Sequence, residues 1–285
     1  MRKNPESNRE PAVICGVPFI WGERTYLVGI VNATPDSFSG DGVPECDRAV
    51  AHAVRQAELG SDIVDVGAES TRPGYVPIDD RTEIARLVPV VRALRALVPK
   101  MVISADTHKP AVFRAAHAAG ADLLNSVRGL SDELLEVALE CDVPVIAMHN
   151  KTTAHYDGDV VDEVLRFLSE IAERAVGRGM ASSRIILDPG IGFGKTAEHN
   201  LAVLRSLDRF TQLGFPTMVG TSRKSTIGRI TGREPHERIY GTAATVALAI
   251  EAGIDMVRVH DVAQIRDVIS VSDAVVRGWR PASWT

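Results

Sequence analysis

Cysteine is scarce: the three, Cys15, Cys46 and Cys141, are widely spaced and form no CxxC pair. That excludes a disulfide framework and a cysteine-ligated zinc site, and it fits a cytoplasmic protein. Aromatic residues are also few, at 5% of 285 positions, although 45% of the chain is hydrophobic. Ala, Val, Leu and Ile must therefore build the core, as in a parallel sheet buried under helices. An excess of basic charge is missing too. Lys and Arg number 32 against 37 Asp and Glu, for a net charge of −5, and no basic stripe stands out. Nucleic acid and acidic membrane surfaces are excluded as partners on that basis. No apolar run approaches the roughly 18 residues needed to span a bilayer. The opening MRKNPESNREP lacks the apolar segment of a signal peptide and reads as a disordered tail over residues 1–11. Finally, no GxGxxG follows the first strand, where the chain reads NATPDSFSGDG. This counts against an open dinucleotide-binding sheet.

What is present is alternation. Short β-branched runs occur at 26–32, 62–67, 101–106, 121–126, 143–149, 184–188, 216–220 and 255–260, with helix-length stretches between them. Several of those stretches end in Gly, a common helix stop. Eight βα units in one chain predict an α/β fold, a (β/α)8 TIM barrel forming a single domain over residues 12–285. The segment AVICGVPFIWGERT ahead of the first strand reads as a short N-terminal β-hairpin across the barrel's bottom.

In such a barrel the active site lies at the C-terminal ends of the strands. Those positions hold Asn32; Asp65, followed by Glu69, Thr71 and Arg72; Asp106; Asn125; Met148 and His149; Asp188; Lys224; and Arg258 with His260. Nearly every strand delivers a polar group to one rim. Asp106, Asn125 and Asp188 suit a planar heterocycle with N–H donors along its edge, because a carboxylate accepts two parallel hydrogen bonds. Lys224, Arg258 and His260 lie on the last two strands, where barrels often bind phosphate. The stretch DPGIGFGKT (188–196) resembles a phosphate loop, but its Gly-Lys-Thr falls one residue too early for GxxxxGK[ST]. The better reading has Asp188 pointing into the site and Phe193 forming an apolar wall for a flat ring. The loops 32–42 and 69–77 are rich in Gly, Pro, Ser and Asp, and are expected to be mobile and functional, with Asp36 and Arg72 meeting across the mouth.

The segments GIVNATPDSFS, DVGAESTRPG, SADTHKP, ADLLNSVRGL, LDPGIGFGKT, VGTSRKS, YGTAATVALAI and VRVHDV, in this order from about residue 14 to 278, resemble the dihydropteroate synthase family. The resemblance implies a transferase of folate biosynthesis. Such an enzyme condenses 6-hydroxymethyl-7,8-dihydropterin diphosphate with p-aminobenzoate to dihydropteroate and pyrophosphate, with Mg2+ as cofactor. By position it implies that Asp106, Asp188, Lys224, Arg258 and His260 are catalytic, with Asn125, Met148 and Phe193 around the pterin. Asp36, Thr71, Arg72 and Ser225 fall on the p-aminobenzoate side, and Asn32 is the metal ligand. It further implies a homodimer, for which helices 234–252 and 262–278 offer a surface. Three departures stand out: Ser126 where the family usually has Asp, MHNKTT after the fifth strand, and SADTHK where SIDTYK is common. They put activity in doubt more than fold. They leave two alternatives: a pterin-binding paralogue without synthase activity, or a methyltetrahydrofolate-dependent methyltransferase. The second fits less well, having no need of a pyrophosphate clamp.

Overall fold

The computed structural model describes residues 9–33, 45–70 and 76–280. Asp36, Thr71 and Arg72, and most of the two loops expected to be mobile, lie outside them.

The chain first makes a hairpin of β1 (Ala12–Ile14) and β2 (Val17–Phe19). Its two-residue turn places Cys15 at φ 51 and Gly16 at φ 73, the left-handed pair that matches the twist of the strands. Eight parallel strands follow: β3 (Tyr26–Asn32), β4 (Ile63–Gly67), β5 (Val102–Asp106), β6 (Leu123–Ser126), β7 (Val145–Met148), β8 (Ile185–Asp188), β9 (Met218–Val219) and β10 (Met256–Val259). They pair in the order β8-β7-β6-β5-β4-β3-β10-β9. The ring closes between β8 and β9 through the bridge Leu187–Thr217 and the hydrogen bond from Leu187 N–H to Pro216 O at 2.9 Å. The expected barrel and its N-terminal hairpin are both present.

Around it run α1 (Glu45–Glu58), α2 (Asp80–Leu97), α3 (Pro110–Ala118), α4 (Asp132–Glu140), α5 (Val160–Gly177), α6 (Ala197–Arg205), α7 (Leu207–Thr211), α8 (Ser225–Thr231), α9 (Ile239–Glu251) and α10 (Val262–Val276). Three details differ from the sequence reading. The stretch read as one helix after β8 breaks at Ser206, whose φ of −115° ends α6 and opens α7. The seventh strand shrinks from five expected residues to two, because Pro216 has no N–H for the ladder and Thr217 N–H is taken by the Asp255 carboxylate at 2.9 Å. The supposed tail is anchored from Arg9, which donates twice to Asp255, both at 2.7 Å.

Strand alternation explains how the barrel is filled. Tyr26, Val28, Ile63, Val102, Leu123, Ile146, Ile186, Met218 and Met256 point inward and form a buried, mostly apolar layer at the bottom. Phe19 and Trp21 of the hairpin segment seal it, and the Trp21 indole N–H is satisfied by Ser183 O at 3.1 Å. The alternate residues, such as Val64, Ile103, Leu124, Val145, Leu187 and Val257, point outward into the helices.

Candidate active site

Two residues further along each strand, the inward layer changes character. It reads Ile30, Asp65, Ser104, Asn125, Met148, Asp188, Gly220 and Arg258, one from each strand in turn. One pleat repeat of about 6.6 Å separates an apolar layer from a polar one. Above it opens a cleft lined among others by Asn125, Met148, Asp188, Phe193, Lys224, Arg258 and His260. The structure thus brings seven of the expected residues to one cavity. Asp106 does not line it directly but joins through Arg258. Asn32 is half-buried at the end of β3, and Ser225 is exposed at the start of α8.

Arg258 is the hub. Its Nε donates to Asp65 Oδ2 at 2.7 Å and its Nη2 to Asp106 Oδ2 at 2.9 Å. Burial works against the guanidinium charge, but the two carboxylates outweigh it and hold its proton firmly. Asp65 Oδ2 also accepts from Asn125 Nδ2 at 3.0 Å. That hydrogen bond turns the amide NH2 toward Asp65 and leaves the Asn125 carbonyl oxygen as the group to meet a ligand. Burial and the neighbouring Asp65 push the Asp106 carboxyl up to about 7, against the pull of Arg258. Its Oδ1 is buried without a partner among the described residues.

Asp188 ends β8, its carboxyl pushed up to about 6 by burial, although Gly190 N–H donates to it at 2.7 Å and Lys224 and Arg258 lie near. Lys224 Nζ sits 4.0 Å from the centre of the Phe193 ring, a cation–π contact. Burial and the charge of Arg258 bring Lys224 down to about 8, with Asp188 opposing. Burial, then Arg223 and Arg258, lower His260 to about 3, which favours the neutral ring. Ser222 Oγ accepts the His260 backbone N–H at 3.1 Å and lies 2.9 Å from Nδ1. The hydroxyl proton is then available to Nδ1, which leaves the ring proton on Nε2. The turn that sets Ser222 and Lys224 holds Arg223 at φ 58, left-handed for a side chain that gains nothing locally from it. A two-point pair from Arg223 to Asp261, at 3.0 and 2.5 Å, locks that turn to the end of β10.

Sequence reasoning gave no role to Asp65 or Ser222. The signal for Asp65 was its place two residues after Ile63, the same inward parity as Asp106 and Asn125. The departures have physical readings. Ser126 is buried beside β7 with its hydroxyl unpartnered among the described residues. Asn150, in the MHNKTT segment, donates to Val127 O at 3.0 Å and ties the ends of β6 and β7 together. Among the described residues no group of three or more His, Cys, Asp or Glu converges as a metal cage would.

Acceptors on β6 and β8, facing Arg258 of β10 and the Lys224 and His260 side chains in the segments that follow β9 and β10, define an enzyme barrel for a flat, donor-edged ring that carries an anion. Residues 28–260 match the family model described as pterin binding enzyme. The chain is 42% identical over 260 residues to a dihydropteroate synthase of Clostridium beijerinckii, covering 90% of this chain and 96% of that one. A solved dihydropteroate synthase of Xanthomonas albilineans with 4-aminobenzoic acid is 41% identical with a TM-score of 0.89, over 96% of this chain and 100% of that one. The structure of that enzyme in complex with 7,8-dihydropteroate gives 40% and 0.86, over 95% and 100%. The chain belongs to the dihydropteroate synthase family of pterin binding enzymes.

Proposed function

We propose that the chain condenses 6-hydroxymethyl-7,8-dihydropterin diphosphate with p-aminobenzoate, releasing pyrophosphate and forming dihydropteroate. The observation that carries this is the division of one cleft into an acceptor end, Asn125 and Asp188, and a donor end, the cations Lys224 and Arg258 with the neutral His260 ring. The relative solved with 4-aminobenzoic acid and with 7,8-dihydropteroate supports the same arylamine substrate and the same product.

In this reading the C–O bond to the diphosphate breaks and its electron pair leaves with pyrophosphate. The arylamine nitrogen forms the new C–N bond at the methylene and then loses its proton. No covalent nucleophile is needed. Asp188 and the Asn125 carbonyl accept the ring's N–H groups, and Phe193 and Met148 flank the ring. Arg258, already aimed by Asp65 and Asp106, and His260 stabilise the departing negative charge without reorganising. The unpartnered Asp106 Oδ1 lies near the positive charge that develops on the pterin. Asp36, Thr71, Arg72 and Ser225 form the p-aminobenzoate side, as the family pattern implies.

Mg2+ fits only in one manner. Asn32, a neutral oxygen donor, would hold it, and with no carboxylate cage among the described residues the remaining ligands would be diphosphate oxygens and water. Bound there, the metal would neutralise charge on the leaving group.

Among the described residues no helix is long and apolar enough to cross a membrane. The three cysteines are free thiols, which supports action in the cytoplasm. Exposed Tyr240 and Leu248 on α9 and Val271 and Val275 on α10 support a homodimer through these helices, testable by sedimentation. The catalytic reading is tested by incubating the two substrates with the protein and detecting dihydropteroate by mass. A second reading, a pterin-binding paralogue, is favoured only if the pterin diphosphate binds and no product forms.

A further inference from the structure

The lysine of the Gly-rich stretch is used by none of the chemistry above, yet it is held tightly beside it. Lys195 Nζ lies 2.8 Å from His149 Nδ1, 3.0 Å from Gly190 O and 3.2 Å from Phe193 O. Burial lowers Lys195 to about 7, with Asp188 opposing; in its ammonium form it has three hydrogens, and each has one acceptor here. Burial, and then the Lys195 charge, push His149 down to about 3, so its Nδ1 keeps the lone pair that accepts. The two carbonyls belong to the turn that leaves β8. They can face Lys195 because Gly190 and Gly192 sit at φ 71 and 82. The turn also lies directly on the segment after β7. A Cβ on Gly190 would stand 1.9 Å from His149 O, and one on Gly194 would stand 2.3 Å from Lys151 O. These glycines serve close packing of two chain segments, not a phosphate cradle. From the outside, Tyr156 Oη donates to Gly194 O at 2.9 Å, and Gly192 N–H donates to Asn200 Oδ1 at 2.7 Å.

What this turn presents to the cleft is specific. Gly190 N–H holds the Asp188 carboxylate, and the Phe193 ring covers Lys224 Nζ. A Cβ on Gly192 would come 2.9 Å from Lys224 Cδ, so the lysine stem lies against the turn as well. We propose that Lys195 is a positioning residue for the reaction: its three hydrogen bonds fix the 190–194 turn, and through it set Asp188, Phe193 and Lys224 in register for the pterin ring. This rests on the functional reading above. It assigns Lys195 no contact with the diphosphate.

The test compares two ligands by calorimetry: the pterin diphosphate, and 6-hydroxymethyl-7,8-dihydropterin, which lacks the diphosphate. Wild-type protein must bind both. If it binds neither, the functional reading fails before Lys195 is at issue. In Lys195→Met, which keeps the stem and removes the donors, affinity for both ligands is expected to fall by the same factor, about tenfold or more, as small misplacements in a binding site do. The KM for p-aminobenzoate should stay within about twofold, and the far-ultraviolet circular dichroism should be unchanged, outcomes that general loss of structure would not give. Loss confined to the diphosphate form would overturn the proposal in favour of a phosphate-binding lysine. Unchanged affinity for both ligands would overturn it outright. If Lys195→Met does not fold, Lys195→Gln, which keeps a donor for the carbonyls, carries the same comparison.

Discussion

Replacing Asp188 with Asn should make the protein more stable at pH 8 and worse at binding its pterin. Burial raises the Asp188 carboxyl from 3.8 to about 6. At 1.36 kcal/mol per unit, that is about 3 kcal/mol of unfavourable charge burial. The folded protein holds this proton more tightly than the unfolded chain. The group's stabilisation is therefore complete below pH 3.8 and lost as pH rises through about 6. Above pH 7 the full penalty applies. Asn is uncharged and keeps an oxygen for the Gly190 N–H, so it removes the penalty; losing Asp188 as a counterion for Lys224 trims the gain. A net gain of about 1–3 kcal/mol corresponds to a rise of about 2–5 °C in Tm for a chain of this length. The rise should be present at pH 8 and absent near pH 4. Pterin affinity should fall by about 1–3 kcal/mol, because one acceptor becomes a misdirected donor. Thermal denaturation at the two pH values and calorimetry with the pterin diphosphate measure both effects. A lower Tm at pH 8 together with unchanged affinity would refute the assignment of Asp188 as a buried ligand acceptor.

Arg258→Met should leave the Asp65 and Asp106 carboxyls without their shared cation, at a cost of about 3–5 kcal/mol in denaturant unfolding; diphosphate binding should weaken more than binding of the pterin alcohol. Asp65→Asn keeps an oxygen where Oδ2 now holds both Arg258 and Asn125, and should retain the pterin KM within about threefold, whereas Asp65→Ala leaves two donors without an acceptor and should raise it by about tenfold or more, read from steady-state kinetics. On the proposed Mg2+ requirement, chelation should stop turnover, while calorimetry of the free protein should find only weak Mg2+ binding, since most of the metal's oxygens would come from the diphosphate; tight binding without diphosphate would contradict this.

The barrel was legible because each strand is a short β-branched run and each connection has a helix's length and stop. The rim residues were legible for a related reason: a carboxylate or cation at the end of an apolar run has nowhere to go but the mouth. Which of them touch was not legible. Asp65 lies in the middle of DIVDVG, and only the strand register shows that it shares a layer with Arg258, 193 positions away. Lys195 looked like half of a phosphate loop. Its partners, His149 and the carbonyls of Gly190 and Phe193, are set by left-handed glycine geometry and by a neighbouring strand. The two-residue β9 was over-read because the run was taken to begin at Pro216, which has no N–H for the ladder, and nothing in the sequence shows that Thr217 N–H is captured by Asp255. Arg9 was read as tail because a polar segment carries no sign of the buried Asp255 that captures it.

The most direct test is pyrophosphate release from 6-hydroxymethyl-7,8-dihydropterin diphosphate, followed with and without p-aminobenzoate, in wild type and in Arg258→Met. Condensation at this cleft requires release by the wild-type protein that depends on p-aminobenzoate and that the variant loses. Release that ignores p-aminobenzoate, or that survives without Arg258, would contradict a synthase built on this site.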